Sequence, residues 1–188
     1  MSSGTDSQMK HSVNLTLLFA LVFAALTAPP VFARTKACGN KPASKTAGQQ
    51  NLEAVDKLIA ASSAEDVDTV LSLFSEDAVL SQPFLPSGPA SYAGRSEIGA
   101  AYLRIFNTFD AIRYGDRRFT VSADEQTIFA EMQGDFDLSG GAGEYDNYFV
   151  FRVDFDTKGC IASLTQYQNS HYTASVFGAF RAREAKER

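Results

Sequence analysis

Acid–base catalysis needs a side chain that can trade a proton near neutral pH, and this chain holds few. Its two histidines are His11 and His171. His11 precedes a long apolar run, so His171 is the candidate catalytic residue. An imidazole with an unperturbed pKa of about 6.5 suits a general base. A lone histidine near a strand end is also commonly a surface or structural residue, and both readings stay open. Asp116, Glu131 and Asp135 are the other titratable groups on the long β segments. Arg113, Arg117 and Arg118 cluster beside them and suit salt bridges across a sheet. Tyr102 and Tyr114 could donate hydrogen bonds to a ligand. One histidine and two distant cysteines, Cys38 and Cys160, make no zinc-type set. "SGGAG" joins two strands instead of opening a helix, so it is no phosphate loop. No G-x-S-x-G elbow occurs. Nothing implies a bound cofactor.

The elements that must position these groups show in the apolar spacing. "YDNYFVFRVDFDTKG" alternates Tyr145, Asn147, Phe149, Phe151, Val153 and Phe155 against Asp146, Tyr148, Val150, Arg152 and Asp154. Alternate residues point to opposite faces of a strand. One face is therefore aromatic except for one amide. "TIFAEMQGDFDL" alternates in the same way, which puts Glu131 and Asp135 on the outer face, in solvent or at a dimer interface. "AIRYGDRRFTVS" reads as a strand with a bulge at Gly115, and "CIASLTQYQNSHY" as the last strand. Before them, Leu52, Val55, Leu58 and Ile59 mark one helix. Ser62 with Glu65 fits a capping box opening a second. "DAVLSQP" is a short strand, "FLPSGPASYAG" a loop, and "RSEIGAAYLRIFNTF" a third helix burying Ile98, Ala101, Tyr102, Ile105 and Phe109. Three helices followed by four hairpin-linked strands predict an α+β fold with an antiparallel sheet.

The N-terminus reads as a signal peptide, residues 1–33. The run Leu15 to Ala28 is short for a membrane span, and "VFA" supplies a small-residue cleavage site before Arg34. Residues 34–50 read as a polar leader, 51–180 as the domain and 181–188 as a charged tail. The expected location is secreted or periplasmic, with no membrane anchor after cleavage. Export permits a disulfide; a Cys38–Cys160 bridge and two free thiols remain equal alternatives. A net charge of −5 argues against nucleic acid as a partner.

The segments "LFSEDAVLSQP", "GRSEIGAAY", "NYFVFRVDFDTKGCI" and "QYQN", in this order, resemble the SnoaL-like branch of the nuclear-transport-factor-two-like superfamily. That is the cone fold of ketosteroid isomerase, scytalone dehydratase and polyketide cyclases. The resemblance implies a curved sheet wrapped around three N-terminal helices, with a deep pocket at its open end. It places Asn147, Phe149 and Phe151 on the inner wall, with Ala78, Leu80, Gln82, Ile128, Ala130, Met132, Gly134, Leu164 and Gln166. Tyr102 matches a supporting tyrosine on helix three.

The chain departs from its relatives where they do chemistry. Gln82 stands at the isomerase aspartate, Leu58 at the helix-one tyrosine and Phe149 at the protonated acid. Gln166 stands at the acid or base of the phenazine and cyclase branches. Amides cannot exchange protons near neutrality, so those mechanisms do not carry over. The expected partner is a small, mostly apolar molecule, held at Gln82, Tyr102, Met132, Asn147, Phe149, Phe151 and Gln166. Isomerase, dehydratase or cyclase chemistry stays open, and the alternative is a non-catalytic homodimeric module. Mass spectrometry of the secreted protein should find Arg34 at the N-terminus. An intact Leu15–Ala28 segment in a membrane fraction would overturn the export reading.

Overall fold

A computed structural model describes residues 38–39 and 44–184. The expected signal segment and its cleavage site lie outside the described residues. Helix α1 (Ala47–Ser63) begins inside the stretch expected as a leader. Thr46 is the reason: its side chain accepts from the Gln49 backbone N–H, and the Gln49 side chain accepts from the Thr46 N–H. The expected capping box at Ser62 does not form. The Ser62 hydroxyl donates back to the Leu58 carbonyl at 2.8 Å, and Asp66 caps α2 (Val67–Leu73) by accepting from the Thr69 N–H. Glu65 spans the junction with a φ of 55°.

Strand β1 (Phe74–Gln82) follows. The predicted Pro/Gly/Ser loop contains a short strand, β2 (Ala90–Ala93), paired antiparallel to β1. Helix α3 runs Gly94–Phe106. Then come β3 (Phe109–Val121), β4 (Thr127–Leu138), β5 (Gly143–Phe155) and β6 (Ile161–Gln168), which form antiparallel neighbours. The β3–β4 ladder shifts register between Gly115 and Arg118, and Asp116 there takes a φ of 46°, so the expected bulge is present.

The sheet order is β2-β1-β6-β5-β4-β3. The result is the expected α+β architecture with a curved, unclosed sheet, and two features the sequence reading lacked. The first is that β1 pairs parallel with β6, which makes the sheet mixed. The second is α4 (Ser170–Glu184), which replaces the end of the predicted last strand and absorbs part of the predicted tail. Asn169 makes this break: its side chain accepts from the Tyr172 N–H at 3.1 Å, a helix cap that stops the strand at Gln168.

Register across the sheet brings Ala130, Phe151 and Gln166 side by side, and likewise Ile128, Val153 and Leu164. All six are buried, as the alternation required. Val55, Leu58 and Ile59 of α1, Val70 and Leu71 of α2, and Ile98 and Ala101 of α3 join them in one core. On the outer face Arg113 grips Asp135 at 3.0 Å and Asp137 at 2.8 Å, as its position beside those acids suggested. Exposed pairs of this kind contribute little to stability.

Cys38 and Cys160 form a disulfide across a sequence separation of 122, with Cα atoms 5.3 Å apart. It fastens the segment ahead of α1 to the β5–β6 turn. That turn is held by Asp156, whose carboxylate accepts from the Lys158 and Cys160 N–H groups. A cross-link closing so long a loop should contribute about 2–4 kcal/mol. Cys160→Ser is therefore expected to lower the urea unfolding free energy by that amount, and reductant should have the same effect on the wild type. Identical unfolding curves with and without reductant would refute the contribution.

Candidate functional site

A cavity of about 410 Å³ lies between the inner face of the sheet and the helices. It occupies the half of the sheet nearest the start of β5. Phe136, Phe149, Phe151 and Tyr114 form its floor, with Tyr114 packed edge-on against each of the three phenylalanines. Ala101, Tyr102 and Ile105 of α3 lie over them. The rim comes from Leu85–Ser87 between β1 and β2, from Arg104, and from Thr173 and Phe177 of α4.

Five of the residues read from sequence line this cavity: Gln82, Tyr102, Phe149, Phe151 and Gln166. Gln82 Nε2 donates to Gln166 Oε1 at 2.8 Å, bridging β1 and β6. This pairing spends one donor and one acceptor. It leaves Gln82 an N–H and a carbonyl oxygen, and Gln166 both its N–H donors, for a ligand.

Three other residues sit elsewhere. Met132 is fully buried in the region where α1 meets β4, so it is core and does not reach the cavity wall. Asn147 is 3% exposed and its amide is consumed within the fold. Its Nδ2 donates to the Tyr145 hydroxyl at 2.6 Å and to Thr173 Oγ1 at 3.1 Å, while its Oδ1 accepts from the Asn169 N–H at 3.1 Å. These bonds fasten α4 to β5. His171 is exposed, and it is not among the cavity-lining residues. The helix that begins at Ser170 carries it off the strand path that would have pointed it toward the mouth.

Sequence reasoning missed the α4 contribution, above all Thr173 and Phe177. A signal was present. Asn169 followed by Tyr172, Val176 and Phe177 is a helix cap with helical apolar spacing. Tyr145 was read as one more aromatic of the wall, yet its hydroxyl is a hub, 2.8 Å from Thr173 Oγ1.

Among the described residues the lining contains no aspartate, glutamate or histidine. Its titratable groups near the floor are tyrosines, and their environment keeps them protonated. Burial raises the pKa of the Tyr102 phenol. The nearby Ser62 hydroxyl opposes that shift, but its proton goes to Leu58 and it makes no hydrogen bond of good geometry with Tyr102. The Tyr102 hydroxyl is thus buried without a partner among the described residues. Burial raises the Tyr114 pKa too, and the neighbouring Tyr102 and Tyr145 add to it. Tyr114 is half-exposed by surface area, but the surface it shows belongs to the cavity. The arrangement can donate hydrogen bonds and enclose an apolar body. Among the described lining residues there is no carboxylate or imidazole that could abstract a proton. Among the described residues no cluster of histidine, cysteine, aspartate or glutamate could hold a metal ion.

Gly134 shapes the floor. A Cβ there would lie 2.5 Å from Phe149 Cε2 and 3.0 Å from Phe136 Cε1. Only hydrogen at this position lets the two rings stack, with centroids 5.5 Å apart and planes 20° from parallel. Gly134→Ala should force the Phe149 ring off its seat into the cavity. We expect a loss of about 1–3 kcal/mol of stability, seen in thermal melts, together with weaker uptake of apolar ligands. Unchanged stability and unchanged uptake would show that the floor has slack.

A sequence profile of the SnoaL-like domain matches residues 55–163. No curated protein matches the chain. Solved structures share its fold at low identity. A candidate isomerase from Bacillus subtilis superposes with a TM-score of 0.63 at 21% identity, covering 72% of this chain and 97% of its own. A pinacolase from Penicillium brevicompactum gives 0.62 at 11%, covering 74% and 99%. A phenazine-biosynthesis-related protein from Pseudomonas aeruginosa gives 0.59 at 17%, covering 69% and 86%. The profile spans more than half of the sequence and includes β1, α3, β4 and β5, so the chain belongs to the SnoaL-like domain family.

Proposed function

We propose that this protein is exported and holds a small, mostly apolar molecule in the cavity without moving its protons. The composition of the wall carries the reading: aromatic rings, an amide pair and protonated phenols, with no acid and no imidazole among the described residues. Such a wall removes apolar surface from water and orients one hydroxyl or carbonyl. Export is supported by the "VFA" site in the sequence and by the Cys38–Cys160 disulfide, which suits an oxidising compartment. The names of the structural neighbours include an isomerase candidate and a pinacolase, so the fold can host rearrangements. In this chain Gln82 and Gln166 stand where relatives keep proton carriers.

A second reading, a sheet-to-sheet homodimer, rests on the outer face. Phe129 is 37% exposed there and Tyr148 51% exposed. A monomer by analytical ultracentrifugation at micromolar concentration would end that reading.

Affinity for a neutral naphthyl alcohol should be flat from about pH 5 to about pH 9, since the described lining holds no carboxylate and no imidazole. The sign follows from the raised tyrosine pKa values. Raised folded values keep the phenols neutral throughout this window, and the stability they contribute fades only above the ordinary tyrosine pKa of about 10, where the unfolded chain ionises first. Gln82→Leu should weaken the alcohol by about 1 kcal/mol, and His171→Gln should change nothing. A titration step near pH 6.5 that disappears in His171→Gln would restore the histidine as the working base and overturn this reading.

A further inference from the structure

Resting on that binding reading, we infer that the cavity selects a monoanionic ligand, with its apolar body among the aromatic rings and a carboxylate-like head at Arg104. Among the described residues Arg104 is the only charged side chain in the lining. The chain as a whole carries 22 acidic residues against 17 basic ones, so an acid-free mouth with one cation runs against its composition.

Arg104 lies in the last turn of α3, a position that suits a cation because helix carbonyls point there. Its guanidinium nevertheless does not cover the helix end. It sits over the Tyr92 ring of β2, its centre 5.3 Å from the ring centroid. A guanidinium held against a ring spends none of its N–H donors on an acid, and those donors match two carboxylate oxygens.

Three other arginines of the fold pair with acids, Arg113 with Asp135 and Asp137, Arg117 with Asp56 and Arg152 with Asp154, and Arg95 donates to the Phe74 carbonyl. Arg104 has no carboxylate partner among the described residues; its contact is the ring. The depth of the cavity complements this head group. The Gln82–Gln166 pair and the Tyr114 phenol can take a neutral polar group, and no acid among the described lining residues could receive an ammonium. An anion is therefore matched at the rim, a cation is repelled there, and nothing deeper reverses the preference.

The test uses one ring system with three heads. Naphthylacetate, naphthylethanol and naphthylethylamine compete against the neutral fluorophore phenylnaphthylamine at low salt. We expect the acid to compete on the order of tenfold better than the alcohol, with the amine weakest. Arg104→Gln should bring acid and alcohol together, each read against the phenylnaphthylamine affinity of the same variant, and Arg104→Lys should restore part of the gap. Added salt should narrow it. Equal competition by acid and alcohol in the wild type, or an acid preference that survives Arg104→Gln, overturns the inference and leaves the binding reading standing. Failure of phenylnaphthylamine itself to bind overturns both.

Discussion

Asn147 sits between Tyr145 and Phe149 on a face that is otherwise aromatic, and its buried amide has no water to turn to. A buried amide without partners would cost a few kcal/mol. The fold meets this constraint by bringing the start of α4 to it: the Asn169 N–H and carbonyl, and the Thr173 hydroxyl. Much of the site depends on that meeting. It ends β6 at Gln168, sets the direction of α4 and seats Phe177 against Phe109 and Tyr145. A residue that looked like a ligand contact is the peg on which one wall of the cavity hangs.

The sheet interior was legible because its signal is local. In β4 and β5 the period of two is unbroken, and every residue assigned inward on β5 is buried. Gln82 and Gln166 were legible as inner-wall amides only through the family resemblance. Their bond to each other was not, since it joins strands 84 residues apart through the parallel β1–β6 pairing. His171 was misplaced because a strand pattern was carried four residues past its end, to Tyr172. The competing local signal, the Asn169 cap, was stronger than apolar alternation in a segment with little alternation left. The Ser62 capping box failed in the same manner: the Ser62 hydroxyl found a nearer acceptor in its own helix.

Chemically, the described lining is defined by groups that donate and accept hydrogen bonds around an aromatic floor. Family membership supplies the cone and its cavity; it does not supply an activity. Phe149 shows the exchange at one position. It occupies the register expected for an acid in the isomerase relatives, and here its ring stacks on Phe136 above Gly134. Volume that could have held a carboxylate and its water is filled by an aromatic floor. An acid returned to that position would lose the stacked ring and face an apolar surround that favours its neutral form.

The disulfide at the β5–β6 turn also fixes a polarity for the whole molecule. The cavity is lined by the first half of β5, whereas Cys160 follows its last residues. Phe149 and Phe155 alone are separated by roughly 20 Å of extended strand. The backbone entering at Cys38 is therefore tied to the end of the cone remote from the opening. A bead, sensor surface or carrier domain joined ahead of Cys38 would be anchored at the back of the molecule, with the opening directed away from the support.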